Sequence, residues 1–253
     1  MIVALGRAFL DAARHLGGMA LLAIAVTSCL FRLRIDRQEL QRNLYKMGVQ
    51  SVPIVLLTAF FTGGIMVIQS GIFVKRFGAY GLLGFAAGYA TLREVGPILI
   101  GLMFSGRVGA NNTAELGTMT VTEQLDGLRA LAIDPIPFLI APRVVAMMIS
   151  LFCLVLIGDA VAMFGGGLFG WILLGVEWSS FFHSLVDNVH LYDLVIGLVK
   201  AAVFGLCISL TSCHFGCTVK GGAVGVGRAV NDAVVSAAVA IMVADNLLTM
   251  VMR

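Results

Sequence analysis

Long apolar stretches separated by short charged segments dominate this sequence. Five of them reach or exceed the roughly 20 residues that cross the hydrocarbon core of a bilayer. These predicted spans are Pro53–Val74, Phe77–Gly106, Val144–Val176, Leu194–Val219 and Ala229–Met252. Because membrane barrels alternate polar and apolar residues in short segments, runs of this length indicate helices. The predicted fold is an all-α membrane protein.

The first apolar stretch of the chain differs from these five. Leu16–Phe31 is too short to cross the bilayer comfortably, and basic residues flank it on both sides, among them Arg14 and Arg32. We predict an interfacial helix in one leaflet, although the sequence leaves open whether this helix crosses the membrane or only dips into it. Residues 1–52 would then be a cytoplasmic N-terminal part, and residues 53–253 a five-span domain with a cytoplasmic loop at about 107–143.

Composition and charge support the membrane assignment. Hydrophobic residues make up 59% of the chain, charged residues only 12%, and the mean hydropathy is +0.99. A soluble domain carries about twice that charged fraction, so a soluble enzyme is excluded. The net charge of +3 gives no reason to expect nucleic-acid binding. Twelve of the seventeen Lys and Arg residues lie on one predicted side and three on the other, which predicts a cytoplasmic N-terminus and an external C-terminus.

The loop between the second and third spans predicts a short amphipathic helix. Thr120 and Glu123 have capping-box spacing, and Asp134-Pro135 would end the helix. An apolar stripe at helical spacing comprises Val121, Leu125, Leu128 and Ala132. Such a helix lies either on lipid or in a groove of a cytoplasmic partner, and its acidic residues favour the partner. The predicted coupling residues are Glu115, Thr120, Glu123, Gln124, Leu125, Asp126, Leu128 and Arg129.

No motif in the sequence predicts catalysis. The chain has no Gly-Lys pair for a phosphate-binding loop, no His-Glu-x-x-His and no Gly-x-Ser-x-Gly. Cys213-His214-Phe215-Gly216-Cys217 lacks a fourth metal ligand, and we interpret it as a set of small residues that close a helix end. We therefore expect no catalytic site, no metal site and no cofactor bound by this chain.

Three stretches of the sequence resemble the MlaE/YrbE permeases, the membrane subunits of ABC transporters that work with MCE-domain lipid carriers. The longest is TLREVGPILIGLMFSGRVGANNTAELGTMTVTEQLDGLRALAIDP at residues 91–135, and the others are Asn43–Val52 and Gly225–Val235. The resemblance implies a homodimer in the inner membrane of a Gram-negative bacterium, with a periplasmic C-terminus. It also implies two cytoplasmic ATPase subunits that bind ATP and Mg²⁺, a periplasmic MCE-domain partner, and phospholipid as cargo.

A phospholipid cargo would need an apolar wall and a polar end. Arg93 and Glu94 lie within the second span, just before Pro97, where charged side chains are candidates for function. The alternative is that the two charges only join this span to a neighbour. The predicted substrate-binding residues are Met66, Val67, Ser70, Val74, Phe77, Arg93 and Glu94. For the residues of this set in the first span, the alternative to binding cargo is that they only pack one helix against another.

Two other classes of function compete with an ABC permease. An ion-coupled secondary transporter would use Asp159, Lys200 and Asp245 as coupling charges, but an odd number of spans disfavours a complete inverted repeat. An intramembrane lipid enzyme would need a catalytic constellation that the sequence lacks.

Overall fold

α-Helices make up most of the chain that the computed structural model describes, which comprises residues 2–31, 36–78 and 80–252. Side chains are described for these residues except 2–9, 11, 12, 31, 75, 77 and 80. The helices are α1 (Ile2–Phe31), α2 (Arg37–Asn43), α3 (Val52–Phe77), α4 (Leu83–Ala90), α5 (Gly96–Phe104), α6 (Ala110–Val121), α7 (Gln124–Ala130), α8 (Ala141–Leu174), α9 (Trp178–Asn188), α10 (Leu191–Cys217) and α11 (Gly222–Val251). No strand occurs within these described ranges, which confirms the predicted all-α class.

Within the described part of the chain, five helical stretches are long and apolar enough to cross a membrane. They are Ala13–Leu30, Arg37–Val74, Ile136–Leu174, Leu191–Cys217 and Gly222–Val251. Four of them contain α3, α8, α10 and α11, which correspond to the predicted first, third, fourth and fifth spans. The remaining stretch lies in α1.

Helix α1 is longer than the apolar stretch that predicted it. It has 30 residues, because the segment before Leu16, which carries the charges of Arg7, Asp11 and Arg14, continues the same helix. Only 6% of Ala13–Leu30 is buried within the chain, so most of its apolar surface needs cover from lipid or from another protein. Its length is sufficient for crossing, and its interfacial placement therefore stays a prediction.

The second predicted span, Phe77–Gly106, is not one regular helix. A 3₁₀ turn (Tyr80–Leu82), α4, a π-helical segment (Thr91–Val95), α5 and a second π-helical segment (Ser105–Gly109) follow one another. Pro97 has no N–H to offer the carbonyl one turn earlier, and the N–H of Gly96 bonds to Thr91 O at π spacing. The helical hydrogen bonding therefore changes from α to π spacing in the segment that contains Arg93 and Glu94.

The predicted amphipathic helix exists but begins later than expected. Helix α6 continues through Thr120, whose hydroxyl donates to Leu116 O (2.8 Å) and Gly216 O (2.9 Å). Glu123 has a left-handed backbone (φ 58°) and makes no side-chain cap, and α7 starts at the next residue. The capping-box prediction was wrong, because a threonine hydroxyl inside a helix bonds to the preceding turn instead of capping a new one.

The chain divides into two compact units. Unit 1 comprises Met1–Tyr45, Ser105–Met147 and Leu206–Ala240, and unit 2 comprises Lys46–Phe104, Met148–Gly205 and Ile241–Arg253. The predicted boundary at residue 52 instead separates a cytoplasmic N-terminal part from a membrane-spanning domain. Compact packing and position in the membrane are different criteria, so the predicted division stays a prediction.

Small residues allow close helix contacts inside unit 2. A Cβ on Gly63 of α3 would overlap the carbonyl oxygen of Ala162 on α8, and one on Gly84 of α4 would overlap the carbonyl of Phe181 on α9. Backbones can approach this closely only where a side chain is absent, which is a common way to pack helices in lipid. The charged π-helical segment between α4 and α5 belongs to this closely packed unit.

Candidate cargo site and coupling segment

Arg93 lies in unit 2 and is held by acceptors from three parts of the chain. Its guanidinium donates to the Tyr89 hydroxyl (2.8 Å), to Asp193 Oδ1 (3.2 Å) and to the backbone oxygen of Met252 (3.1 Å). The guanidinium carbon also lies 5.4 Å from the centre of the Tyr89 ring, and 14% of the Arg93 side chain is exposed. These contacts agree with the alternative to a cargo-binding role for Arg93, in which its charge joins the second predicted span to neighbouring parts of the chain.

Glu94 belongs to a second group of charges, which we call the Lys200 cluster: Glu94, Lys200, Asp245 and Thr249. Lys200 is fully buried on α10 and contacts Glu94 Oε2. Its Nζ donates to Thr249 Oγ1 (2.8 Å) and lies 2.9 Å from Asp245 Oδ1, at an angle that makes the latter contact ionic instead of a hydrogen bond. The Thr249 hydroxyl lies 3.3 Å from Glu94 Oε1. In their usual charged forms, the two acids and one base leave an excess negative charge.

Glu94 is the most exposed charged member of the Lys200 cluster. Its side chain is 32% exposed, whereas those of Lys200 and Asp245 are 0% and 13% exposed. A carboxylate that is both anchored on one side and open on the other can accept hydrogen bonds from a ligand without losing its own ion pair. Within the predicted cargo residues, Glu94 therefore has the geometry of a ligand-binding group.

The first-span residues of the predicted cargo site divide into two groups. Val67 and Val74 are buried in a core cluster with Leu83, Ala87 and Phe181, so their side chains contact the chain itself. Met66 and Ser70 are only partly buried. Phe77 ends α3, and its side chain lies outside the described residues. The stripe thus contains both core and surface residues. On a helix that is apolar on all sides, helical spacing alone does not indicate which face is buried.

The predicted coupling residues all lie in unit 1, and they face different ways. Leu125 is buried, with 5% of its surface exposed, and Leu128 is half-buried. The polar residues Glu123, Gln124, Asp126 and Arg129 are exposed. Arg129 and Asp126 form an ion pair of 2.8 Å with about two-thirds of each side chain exposed, a kind of pair that contributes little stability.

Glu115 belongs to a further group in unit 1, the Arg143 cluster: Asn112, Glu115, Arg143 and Ser212. Arg143 on α8 is 2% exposed and donates to Asn112 Oδ1 (2.9 Å) and Glu115 Oε1 (3.1 Å) on α6. Asn112 in turn donates to Ser212 Oγ on α10 (3.0 Å). This cluster joins α6, which leads directly into the coupling segment, to two spanning helices.

The Cys213–Cys217 segment contributes packing contacts. Cys213 is buried and accepts a hydrogen bond from Asn112 (3.5 Å), and His214 lies 3.1 Å from His15 of α1 between ring nitrogens. His15 also stacks on Phe215. Among the described residues, no group of three or more His, Cys, Asp or Glu side chains is arranged to hold a metal ion.

Comparison with known proteins decides the family. The chain matches the family described as permease MlaE over residues 40–251. It is 39% identical over 244 residues to a probable ABC transporter permease protein of Rickettsia conorii, covering 96% of this chain and 94% of the relative. It is 32% identical over 252 residues to the intermembrane phospholipid transport system permease protein MlaE of Haemophilus influenzae, covering 99% and 97%. The chain belongs to the MlaE permease family.

This membership confirms the resemblance and the class of function. The protein is an integral membrane permease subunit of an ABC transporter. A chloroplast relative, protein trigalactosyldiacylglycerol 1 of Arabidopsis thaliana, is 36% identical over 219 residues, covering 85% of this chain and 62% of its own length. The range that matches the family, residues 40–251, contains the Lys200 cluster, the Arg143 cluster and α7.

Sequence reasoning missed three features of the permease. Arg143 counts in the sequence only as a loop charge at the start of a span, and its burial is known only from the structure. Lys200 and Asp245 were noticed as charges within spans, but only in the competing ion-coupled interpretation. Leu131, which is 72% exposed beside α7, lies outside the predicted apolar stripe.

Proposed function

We propose that this permease transports phospholipid between the inner membrane of a Gram-negative bacterium and a periplasmic MCE-domain carrier. It acts as a homodimer with two cytoplasmic ATPase subunits, which bind ATP and Mg²⁺. The observation that carries this proposal is the near full-length similarity to a permease named for intermembrane phospholipid transport. The basic residues concentrated on one predicted side support a cytoplasmic N-terminus and a periplasmic C-terminus.

The exposed side of α11 supports the proposed dimer. Only 11% of the α11 span is buried within the chain, and Val235, Val239 and Leu247 are each more than half exposed. Surface of this kind suits a second copy or lipid, and in a helix rich in small residues it permits close helix–helix packing.

The proposed cargo site combines the surface members of the predicted set. Met66 and Ser70 would line its wall and Glu94 its polar end, while Val67 and Val74 support the wall from behind. Met66 is flexible and polarisable, which suits a cargo with mixed acyl chains. Arg93 would position Glu94 by holding the π-helical segment, since its guanidinium already donates three hydrogen bonds within the chain.

The proposed contact with the ATPase uses α7 and the residues beside it. Exposed Gln124, Asp126 and Arg129 provide polar contacts, and Leu131 provides an exposed apolar anchor. Leu125 and the Arg143 cluster would hold this surface in place from inside the permease. A substitution that tests the contact must therefore change Leu131, because a change at buried Leu125 would first disturb the permease itself.

Reconstitution tests the proposal. The permease is incorporated into vesicles with and without its co-purifying ATPase, and transfer of labelled phospholipid to a soluble MCE-domain protein is measured with and without ATP. We expect no ATP hydrolysis by the permease alone and ATP-dependent lipid exchange by the complex. Leu131→Asp should abolish ATPase binding while leaving the permease folded, whereas Leu131→Met should retain it. ATP hydrolysis by the pure permease, or a complex with no ATP-dependent exchange, would contradict the proposal.

A further inference from the structure

Asp159 is a buried acid without a partner. It lies near the middle of α8, is 1% exposed, and neither of its carboxylate oxygens has a hydrogen-bond partner within the described part of the chain. The two basic side chains within the predicted spans of unit 2 are already engaged: Arg93 pairs with Asp193, and Lys200 pairs with Glu94 and Asp245. Because an isolated buried carboxylate is costly, its charge requires compensation from something other than these side chains.

A small cavity adjoins Asp159 within unit 2. Its volume is about 10 Å³, which is room for about one particle of water size. Helices α3, α5 and α8 and the π-helical residue Thr91 surround it. A Cβ at Gly96 would overlap Asp159 Oδ1, so the absence of a side chain at Gly96 is what lets the carboxylate reach α5.

The polar lining of this cavity offers lone pairs and no free donors. Besides Asp159, the polar residues that line it are Thr58, Thr62 and Thr91. Each hydroxyl donates its proton to a carbonyl of its own helical stretch: Thr58 to Ile54 O (2.9 Å), Thr62 to Thr58 O (2.8 Å) and Thr91 to Ala87 O (2.7 Å). Their oxygens are then left as acceptors, like the carboxylate. A water molecule would supply donors but no charge, whereas a small hard cation prefers oxygen ligands of this kind.

We propose that Asp159, together with hydroxyl oxygens of Thr58, Thr62 and Thr91, binds one small monovalent cation, delivered as Na⁺ or as a proton. The bound cation neutralises the carboxylate and thereby stabilises the packing of α3, α5 and α8. Asp159 also lines a larger, mostly apolar cavity of about 380 Å³ that includes Leu185, His190 and Leu194, which provides an access route. The inference requires neither ATP nor phospholipid, so it stands apart from the proposed function.

Thermal unfolding of the full-length permease in nanodiscs tests the site. Tm is measured in Na⁺, K⁺ and N-methylglucamine at equal ionic strength, and at a series of pH values. If Na⁺ is the cation, saturating Na⁺ should raise Tm by roughly 5 °C over N-methylglucamine. If a proton is the cation, Na⁺ should have no effect and Tm should fall as pH rises, because the folded state then binds more protons than the unfolded state.

Asp159→Asn should remove whichever dependence the wild type shows, since the amide is neutral and brings its own donors. Asp187→Asn, an exposed change of the same kind on α9, should leave it intact. Among the described residues, His190 is the other titratable group that lines either cavity, and His190→Gln controls for it in the pH series. A profile that is unchanged in Asp159→Asn, or a wild type that responds to neither Na⁺ nor pH, would overturn the proposal.

A second variant covers the case in which Asp159→Asn does not fold. Thr62→Val keeps the carboxylate and the side-chain volume but removes one oxygen from the cavity. It should move the Na⁺ or pH midpoint by about tenfold in concentration, as expected for the loss of a single ligand of modest strength. An unmoved midpoint in Thr62→Val would also count against the site.

Discussion

Among the described residues, two buried basic side chains join helices, and their charges are compensated differently. In unit 1, Arg143 contacts the neutral Asn112 and the carboxylate of Glu115, so its cluster is electrically balanced. In unit 2, Lys200 contacts two carboxylates, Glu94 and Asp245, so its cluster retains a negative charge. A balanced cluster suits a structural joint, whereas an unbalanced one with a partly exposed acid suits a ligand site.

The two side chains also differ in geometry. Arg143 uses its planar fork to reach two acceptors on α6 at once, which fixes the orientation of that helix. Lys200 is a point charge on a flexible stem that reaches three groups on two other parts of the chain. A lysine ammonium does not require a fixed planar arrangement of acceptors, so its partners can rearrange more easily than those of an arginine. This property is compatible with a cluster that changes when cargo binds.

Lys200→Met should have the largest effect on stability. It leaves Glu94 and Asp245 as two acids without their buried cation, which should cost about 3–5 kcal/mol of unfolding free energy. Thermal unfolding in detergent measures the loss, and the double variant Lys200→Met/Asp245→Asn should recover part of it. A single variant as stable as wild type would mean that Lys200 does not compensate these acids.

Arg143→Lys should have a smaller effect on stability and a clear one on coupling. It keeps the charge but loses the fork, so one of the contacts to Asn112 and Glu115 is lost, at about 1–3 kcal/mol. We expect ATP hydrolysis in the assembled complex to become less dependent on lipid, while bound phospholipid in the purified permease stays normal. Arg42→Lys, an exposed change of the same kind on α2 and outside the proposed ATPase contact, is the matched control. Equal behaviour of the two variants would argue against a special role for the Arg143 cluster.

Glu94→Gln separates cargo binding from stability. The change removes the excess negative charge of the Lys200 cluster, so Tm should stay within about 3 °C of wild type. Co-purifying phospholipid, quantified by mass spectrometry, should fall several-fold. Asp193→Asn, at the partner of Arg93, should instead lower Tm more than it lowers bound lipid. If Glu94→Gln keeps its full complement of lipid, Glu94 is not part of the cargo site.

Asp126→Asn should have the smallest effect on stability. Its ion pair with Arg129 is exposed, and its loss should change the unfolding free energy by less than about 0.5 kcal/mol. Binding of the ATPase, measured by pull-down with increasing salt, should weaken, because Asp126 is one of the proposed polar contacts with the partner. A Tm decrease as large as that of Arg143→Lys would show that this part of α7 is structurally more important than its exposure indicates.

The coupling segment shows why some sequence predictions succeeded only in part. The presence of a short helix after α6 was predictable from its apolar spacing and from Asp134-Pro135 beyond it. Its phase was not, because Glu123 adopts a left-handed conformation that interrupts the helix and restarts it. The predicted stripe is therefore divided between two helices, with Val121 at the end of α6 and Leu125 and Leu128 on α7. Burial separates its surroundings further, because Leu125 is buried whereas Leu131 beside α7 is exposed.

The sequence by itself determined the membrane class, the all-helical fold and the family, because these depend on long apolar runs and on a contiguous motif. It also located the charges within spans, since any such charge stands out against an apolar background. Only the tertiary structure decided that Lys200 joins Glu94 to Asp245, that Arg143 holds α6, and that Asp159 has no partner in the described chain. Helices that are apolar on every side have no periodic pattern to indicate which face meets a neighbour, so partners far apart in sequence become known only when the helices are packed.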